Sequence, residues 1–176
     1  GTISFGDIGL DRLDKTPGIE WEFLGEDHAP IYGDQLYDYD ALILLGSQID
    51  ADSLANNECL SLVARFGVGY DNVDIGACTR SGVLLTITPN AVRRPVAVAA
   101  ITYLLALSQK VLIKDSLVRE GRWNERMDHM GTGLAERTMG LIGLGNIGRE
   151  ICNLIQPFGL RVLATDPKGS AYHAQQ

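Results

Sequence analysis

Short apolar runs alternate along this chain with stretches at helical period, and glycines mark many of the changeovers. Asp40-Ala-Leu-Ile-Leu-Leu is a continuous apolar run ending at Gly46, the pattern of a parallel strand buried on both faces. Residues 60–66 and 83–87 read the same way. Between them, residues 73–80 predict a short helix with Gly82 at its exit. Nearer the start, residues 2–5 predict a short strand and residues 7–18 a weak helix or turn ended by Pro17-Gly18. Residues 19–24 alternate apolar and acidic side chains, which predicts a half-buried strand. Residues 25–35 read as loop, and Asp50-Ala-Asp-Ser predicts the cap of a short helix through Asn56 to Cys59. Strands alternating with short helices imply a parallel α/β sheet extending to about Thr88.

The pattern changes across residues 89–95, which hold two prolines with Arg93-Arg94 between them. Pro95 suits a first helical turn, and the residues after it predict one long helix to about Glu120, stopped by Gly121. This helix is apolar nearly all round as far as Leu107, so burial on several sides is expected, within one domain, between two domains or between two subunits. Its apolar part is shorter than the roughly 20 residues that cross a bilayer. Residues 124–136 form a polar connector. Residues 139–142 are strand-like, Ile147, Ile151, Leu154 and Ile155 recur at helical period, Gly159 closes that helix, and residues 161–164 form a second strand ending at Asp166.

Composition narrows the partners. The chain has 176 residues, 45% of them hydrophobic, enough for one domain or two small ones with a real core. A net charge of −7 argues against nucleic acid or an anionic membrane as partner. Cys59, Cys78 and Cys152 are odd in number and widely spaced, so a disulfide framework is not expected and a reducing cytoplasm fits. No metal site is expected, and no basic segment leading into an apolar one suggests a secretion signal.

The turn between the last two strands carries the chemistry. Gly143-Leu144-Gly145-Asn146-Ile147-Gly148 has the G-x-G-x-x-G spacing, placed after a strand and before a helix, with an acid after the next strand. Gly143 allows the sharp turn, Gly145 lets a pyrophosphate approach the backbone, and Gly148 lets helix and strand pack closely. The amides of Asn146 and Ile147 fall in the first helical turn, where N–H groups lack internal partners and the dipole favours an anion. Asp166 would accept hydrogen bonds from ribose hydroxyls and repel a 2′-phosphate by about 4 kcal/mol at close range, so NAD is expected over NADP. Lys168 would offset part of that repulsion. A second glycine loop, Arg65-Phe-Gly67-Val68-Gly69-Tyr-Asp-Asn-Val-Asp, follows an apolar strand and leads into an acidic helix start. Exposed amides at a strand's carboxyl end can bind a carboxylate; a plain strand-to-helix turn with a polar cap is the other reading. Arg65 either assists substrate binding or makes structural contacts at the strand end.

RFGVGYDNVDIGACTRSGVLLTITPN together with TMGLIGLGNIGREI resembles the D-isomer-specific 2-hydroxyacid dehydrogenase family, over about Asp40 to Asp166. The resemblance implies an α/β fold of two Rossmann-like parallel-sheet domains, the second truncated, with the active site in the cleft between them. Residues 1–92 would be a flavodoxin-like substrate domain, and residues 93–176 the linker helix and first part of the NAD-binding Rossmann domain. It implies that the amides at Val68 and Gly69 bind a substrate carboxylate and that Gly143, Leu144, Gly145, Asn146, Ile147, Gly148 and Asp166 hold NAD. It also implies a homodimer through the helix after Pro95. The activity implied is hydride transfer between NAD(H) and a small D-2-hydroxy acid or 2-keto acid. An NAD-sensing, corepressor-like binding protein of the same fold is the alternative.

Two departures stand out. Many members carry a T-A-E type pattern at the start of the long helix, where this chain has Val96-Ala97-Val98. The catalytic Arg, Glu and His of the family lie downstream of the fingerprint, and none is matched here; they are expected beyond Gln176. His28, His129 and His173 lie outside any such motif. The chain opens at Gly1 and ends at Gln176, short of two βαβαβ halves, so a piece of a longer enzyme or an inactive remnant is expected.

Overall fold

A computed structural model describes residues 9–24 and 30–167. The strand expected at residues 2–5, residues 25–29 of the loop expected at 25–35, His28, Lys168 and His173 lie outside the described residues. The chain divides into two compact units, Gly1–Thr88 and Pro89–Gln176.

The first unit is built on three parallel strands, β1 (Ala41–Leu44), β2 (Leu62–Arg65) and β3 (Leu84–Ile87), in the order β1-β2-β3. Val63 is in register with Leu42 and Leu85. Before them comes one helical turn, α1 (Asp11–Asp14). The helix α2 (Ile75–Arg80) precedes β3, capped by the Asp74 carboxylate, which accepts the Ala77 N–H at 2.9 Å. It starts two residues later than the sequence pattern suggests, because Val73 is held in a parallel bridge to Ile49. Leu42, Leu44, Val63, Ile49, Ala77 and Cys78 form the centre of the core. Among the described residues only one face of this sheet is covered: Leu44 is 2% exposed and its neighbour Ile43 58%. The expected burial on both faces is therefore seen on one.

Two predicted elements do not form. Residues 19–24 join no ladder of the described sheet. Alternation describes where side chains point and does not by itself build a ladder. Trp21 and Phe23 instead meet edge to face at 5.4 Å, and the Trp21 indole N–H donates to Asp14 at 2.9 Å. The helix expected through residues 56–59 is replaced by turns. Its cap does form: Asp50 Oδ1 accepts the N–H groups of Asp52 and Ser53, both at 3.0 Å, which holds its carboxyl below the ordinary range. Asn57 then bonds Leu60 through both ends of its amide, at 2.8 and 2.9 Å, and diverts the backbone from helix.

The second unit contains α3 (Arg93–Ser108), α4 (Val111–Arg119), β4 (Thr138–Ile142), α5 (Asn146–Ile155) and β5 (Arg161–Thr165). β4 and β5 pair in parallel, with Met139 opposite Val162, and α3 packs against α5. Glu150 of α5 is paired with Arg94 at 2.6 Å and lies 3.8 Å from Arg93, so the first turn of α3 is tied to α5. The single long helix of the sequence reading is two helices bent by 60°. Lys110 between them is left-handed at φ 53°. The break is bridged by the connector: Thr132 N–H donates to Ser108 C=O at 2.7 Å and Gln109 Nε2 to Thr132 C=O at 3.1 Å. Those bonds satisfy groups that a helix end leaves open. α3 buries only Ala97, whereas Leu107 and Leu112 are 74% and 76% exposed. No single described helix is long and apolar enough to cross a membrane.

Candidate dinucleotide and carboxylate sites

The glycine turn of the second unit has the geometry its spacing calls for. Gly143 leaves β4 at φ +96°, a region that L side chains rarely adopt, and its N–H donates to Thr165 C=O at 2.8 Å. Gly145 is the N-cap of α5. A Cβ on Gly145 would meet nothing within 4 Å, so its surface is open to a ligand. A Cβ on Gly148 would lie 2.2 Å from the Gly143 carbonyl oxygen, so the helix sits directly against the turn. Asn146, Ile147 and Gly148 supply the first N–H groups of α5, where helix geometry leaves donors open and the dipole is positive. The Asn146 side chain is held aside by Arg149 Nη2 at 2.8 Å.

Asp166 closes this constellation. Its Oδ2 accepts the Leu144 N–H at 2.7 Å, a charge-assisted bond across the turn. Thus Gly143, Leu144, Gly145, Asn146, Ile147, Gly148 and Asp166 lie together, and Asp166 has a bond to the turn that the sequence pattern does not reveal. The open face at Gly145, the tight contact at Gly148 and the carboxylate at the strand end together fit a dinucleotide. Cys152 sits on α5 nearby; burial pushes its thiol up, which leaves it protonated at neutral pH.

The loop at the carboxyl end of β2 is the candidate carboxylate site. Gly67 takes φ +146° and its N–H donates to the Thr88 hydroxyl at 2.9 Å, while Thr88 N–H donates back to Gly67 C=O at 2.8 Å. The amides of Val68 and Gly69 donate to no acceptor among the described residues. Arg65 is partly exposed; its Nη1 donates to Phe66 C=O, and its buried Nε has no acceptor. Thr88 went unrecognised as a site residue in the sequence, and its only signal there is its place immediately after a strand. His129 ends the 3-10 helix Trp123–His129, within neither loop. Among the described residues no cluster of His, Cys, Asp and Glu gathers to hold a metal ion.

Residues 101–176 match the family described as D-isomer specific 2-hydroxyacid dehydrogenase, NAD binding domain. This part of the chain is an NAD-binding domain of the D-isomer-specific 2-hydroxyacid dehydrogenase family. The chain is 32% identical over 170 residues to a glyoxylate reductase of Thermococcus gammatolerans, covering 92% of this chain and 51% of that protein. It is 36% identical over 162 residues to D-3-phosphoglycerate dehydrogenase of Homo sapiens, covering 92% of this chain and 28% of that one. The chain thus spans about half, or less, of these relatives of the family. Its fold superposes on a Thermus thermophilus protein with a TM-score of 0.76 at 28% identity, over 92% of this chain and 54% of that one. It also superposes on Escherichia coli D-lactate dehydrogenase at 0.73 and 23% identity, over 94% of this chain and 52% of that one.

Proposed function

We propose that the whole protein transfers a hydride between NAD(H) and a small D-2-hydroxy acid or 2-keto acid. The observation that carries this reading is the turn from β4 to α5, open at Gly145, tight at Gly148 and bonded to Asp166. Residues 93–176 serve as the cofactor side and residues 1–92 as the substrate side. The amides of Asn146 and Ile147 hold the pyrophosphate, and Asp166 holds the adenosine ribose and disfavours a 2′-phosphate. The amides of Val68 and Gly69 hold the substrate carboxylate, which orients the neighbouring keto carbon. The nicotinamide, when bound, supplies or accepts the hydride. The proton and the cation that polarises the carbonyl belong to the Arg, Glu and His that the family resemblance puts downstream of the fingerprint. The exposed apolar residues of α3 and α4 support a homodimer through this part of the chain. Three free cysteines support a reducing cytoplasm as the compartment.

The test is consumption of NADH by the full-length protein with glyoxylate, hydroxypyruvate and pyruvate. Turnover with one of them supports the enzyme. Tight NADH binding without turnover on any supports the sensing protein instead, and failure to bind NADH removes both.

A further inference from the structure

We propose that Arg65 is a positioning residue: its guanidinium and the Thr88 hydroxyl clamp Gly67 from two sides and so aim the amides of Val68 and Gly69 at the substrate carboxylate. The inference rests on the reading of that loop as the carboxylate site.

Gly67 is the pivot. At φ +146° it holds a conformation that glycine reaches freely and also leaves freely, so the loop needs an outside constraint to keep one shape. Thr88 supplies one side. Arg65 is in register with Ile87, which places Thr88 beside the loop. Its hydroxyl accepts the Gly67 N–H at 2.9 Å and lies 3.3 Å from the Gly67 carbonyl, to which its own N–H donates at 2.8 Å. Both polar groups of Gly67 are therefore fixed to Thr88, the residue after β3.

Arg65 supplies the other side. A Cβ on Gly67 would lie 2.5 Å from Arg65 Nη1, 3.0 Å from Cζ and 3.2 Å from Nη2, so the plane of the guanidinium lies against the glycine. Nη1 bonds the carbonyl of Phe66, the residue just before the pivot. Nε is buried without an acceptor, and no described carboxylate lies within ion-pair distance of the group. The fork is spent on the backbone of the loop. An orphaned buried donor is costly, and the Arg65 Nε is one. The flat fork matters here, because a lysine ammonium cannot lie against Gly67 and bond Phe66 in the same way.

The experiment uses the full-length protein and oxamate as a carboxylate probe, titrated against the NADH complex, with kinetics on glyoxylate alongside. Arg65→Met and Arg65→Lys should both weaken oxamate and raise KM for glyoxylate by tenfold or more, with Kd for NADH unchanged. Thr88→Val should do the same, and Thr88→Ser should restore oxamate binding to within about twofold of the parent. If Arg65→Lys binds oxamate as the parent does while Arg65→Met does not, the charge acts on the anion directly and the positioning role is wrong. Unchanged oxamate binding in Thr88→Val also overturns the clamp. Should the larger changes lower stability, Arg65→Lys and Thr88→Ser decide the matter. If the parent complex binds NADH but no oxamate, the loop is not a carboxylate site, and the clamp falls with it.

Discussion

Gly145 and Gly148 share one turn and face opposite surroundings. Gly148→Ala would press a methyl group into the Gly143 carbonyl at 2.2 Å, and backbone cannot step aside as a side chain tip can. A loss of about 1–3 kcal/mol in urea unfolding is expected, the scale of an overpacked contact. Gly145→Val meets open space within 4 Å, so unfolding should be unchanged while NADH affinity falls at least tenfold. Equal NADH affinity in Gly145→Val would show that the turn is not the cofactor site. On the proposed reading Asp166 serves twice, at the turn and at the ribose. Asp166→Asn keeps an acceptor for the Leu144 N–H, bonded at 2.7 Å, and removes the charge that repels a 2′-phosphate. Its ratio of NADPH to NADH affinity should rise, with stability near the parent value; Asp166→Ala should lose affinity for both nucleotides as well. An unchanged ratio in Asp166→Asn would remove the proposed role. The fingerprint glycines were legible in the sequence because each has a distinct steric demand. Thr88 was not, because its partner Gly67 is distant in sequence and a threonine at a strand end has many ordinary uses.

At the scale of elements, the sequence was most informative where a local rule acts alone. Asp74 caps α2, Gly82 at φ 67° follows it, and Gly121 at φ 70° follows α4, as helix-end chemistry requires. It failed where distant backbone decided the outcome. Ser108-Gln109-Lys110 contains neither glycine nor proline, so nothing local announces the 60° bend; the bonds from Thr132 and Gln109 stabilise it. Residues 19–24 show the opposite failure, a good local pattern with no ladder in the described sheet. Lys110 offers a direct check. Its left-handed φ of 53° costs a non-glycine residue roughly 1 kcal/mol, so Lys110→Gly should raise the unfolding midpoint by a corresponding amount. A lowered midpoint would mean that the side chain, and not the backbone angle, governs the break.

Over the whole molecule, the two units leave apolar surface that their own described residues do not cover. On α3 and α4 it includes Tyr103, Leu107 and Leu112, and on the β4–β5 sheet it includes Ile142, which is 93% exposed. Apolar surface of this extent marks an interaction site, and the net charge of −7 opposes its nonspecific association. Leu107→Glu with Leu112→Glu should leave the unfolding of each protomer nearly unchanged, since both side chains are exposed within it, and should shift sedimentation of the full-length protein from dimer to monomer. A dimer that survives both changes would place the subunit contact elsewhere. The proposed reaction would use both the cofactor turn and the carboxylate loop, and its product has a handedness. The decisive measurement is the configuration of the glycerate formed from hydroxypyruvate and NADH by the full-length protein, resolved chromatographically beside its Gly145→Val variant. D-glycerate from the parent and none from the variant is the expected result. L-glycerate, or no consumption of NADH with hydroxypyruvate, glyoxylate or pyruvate, would contradict it.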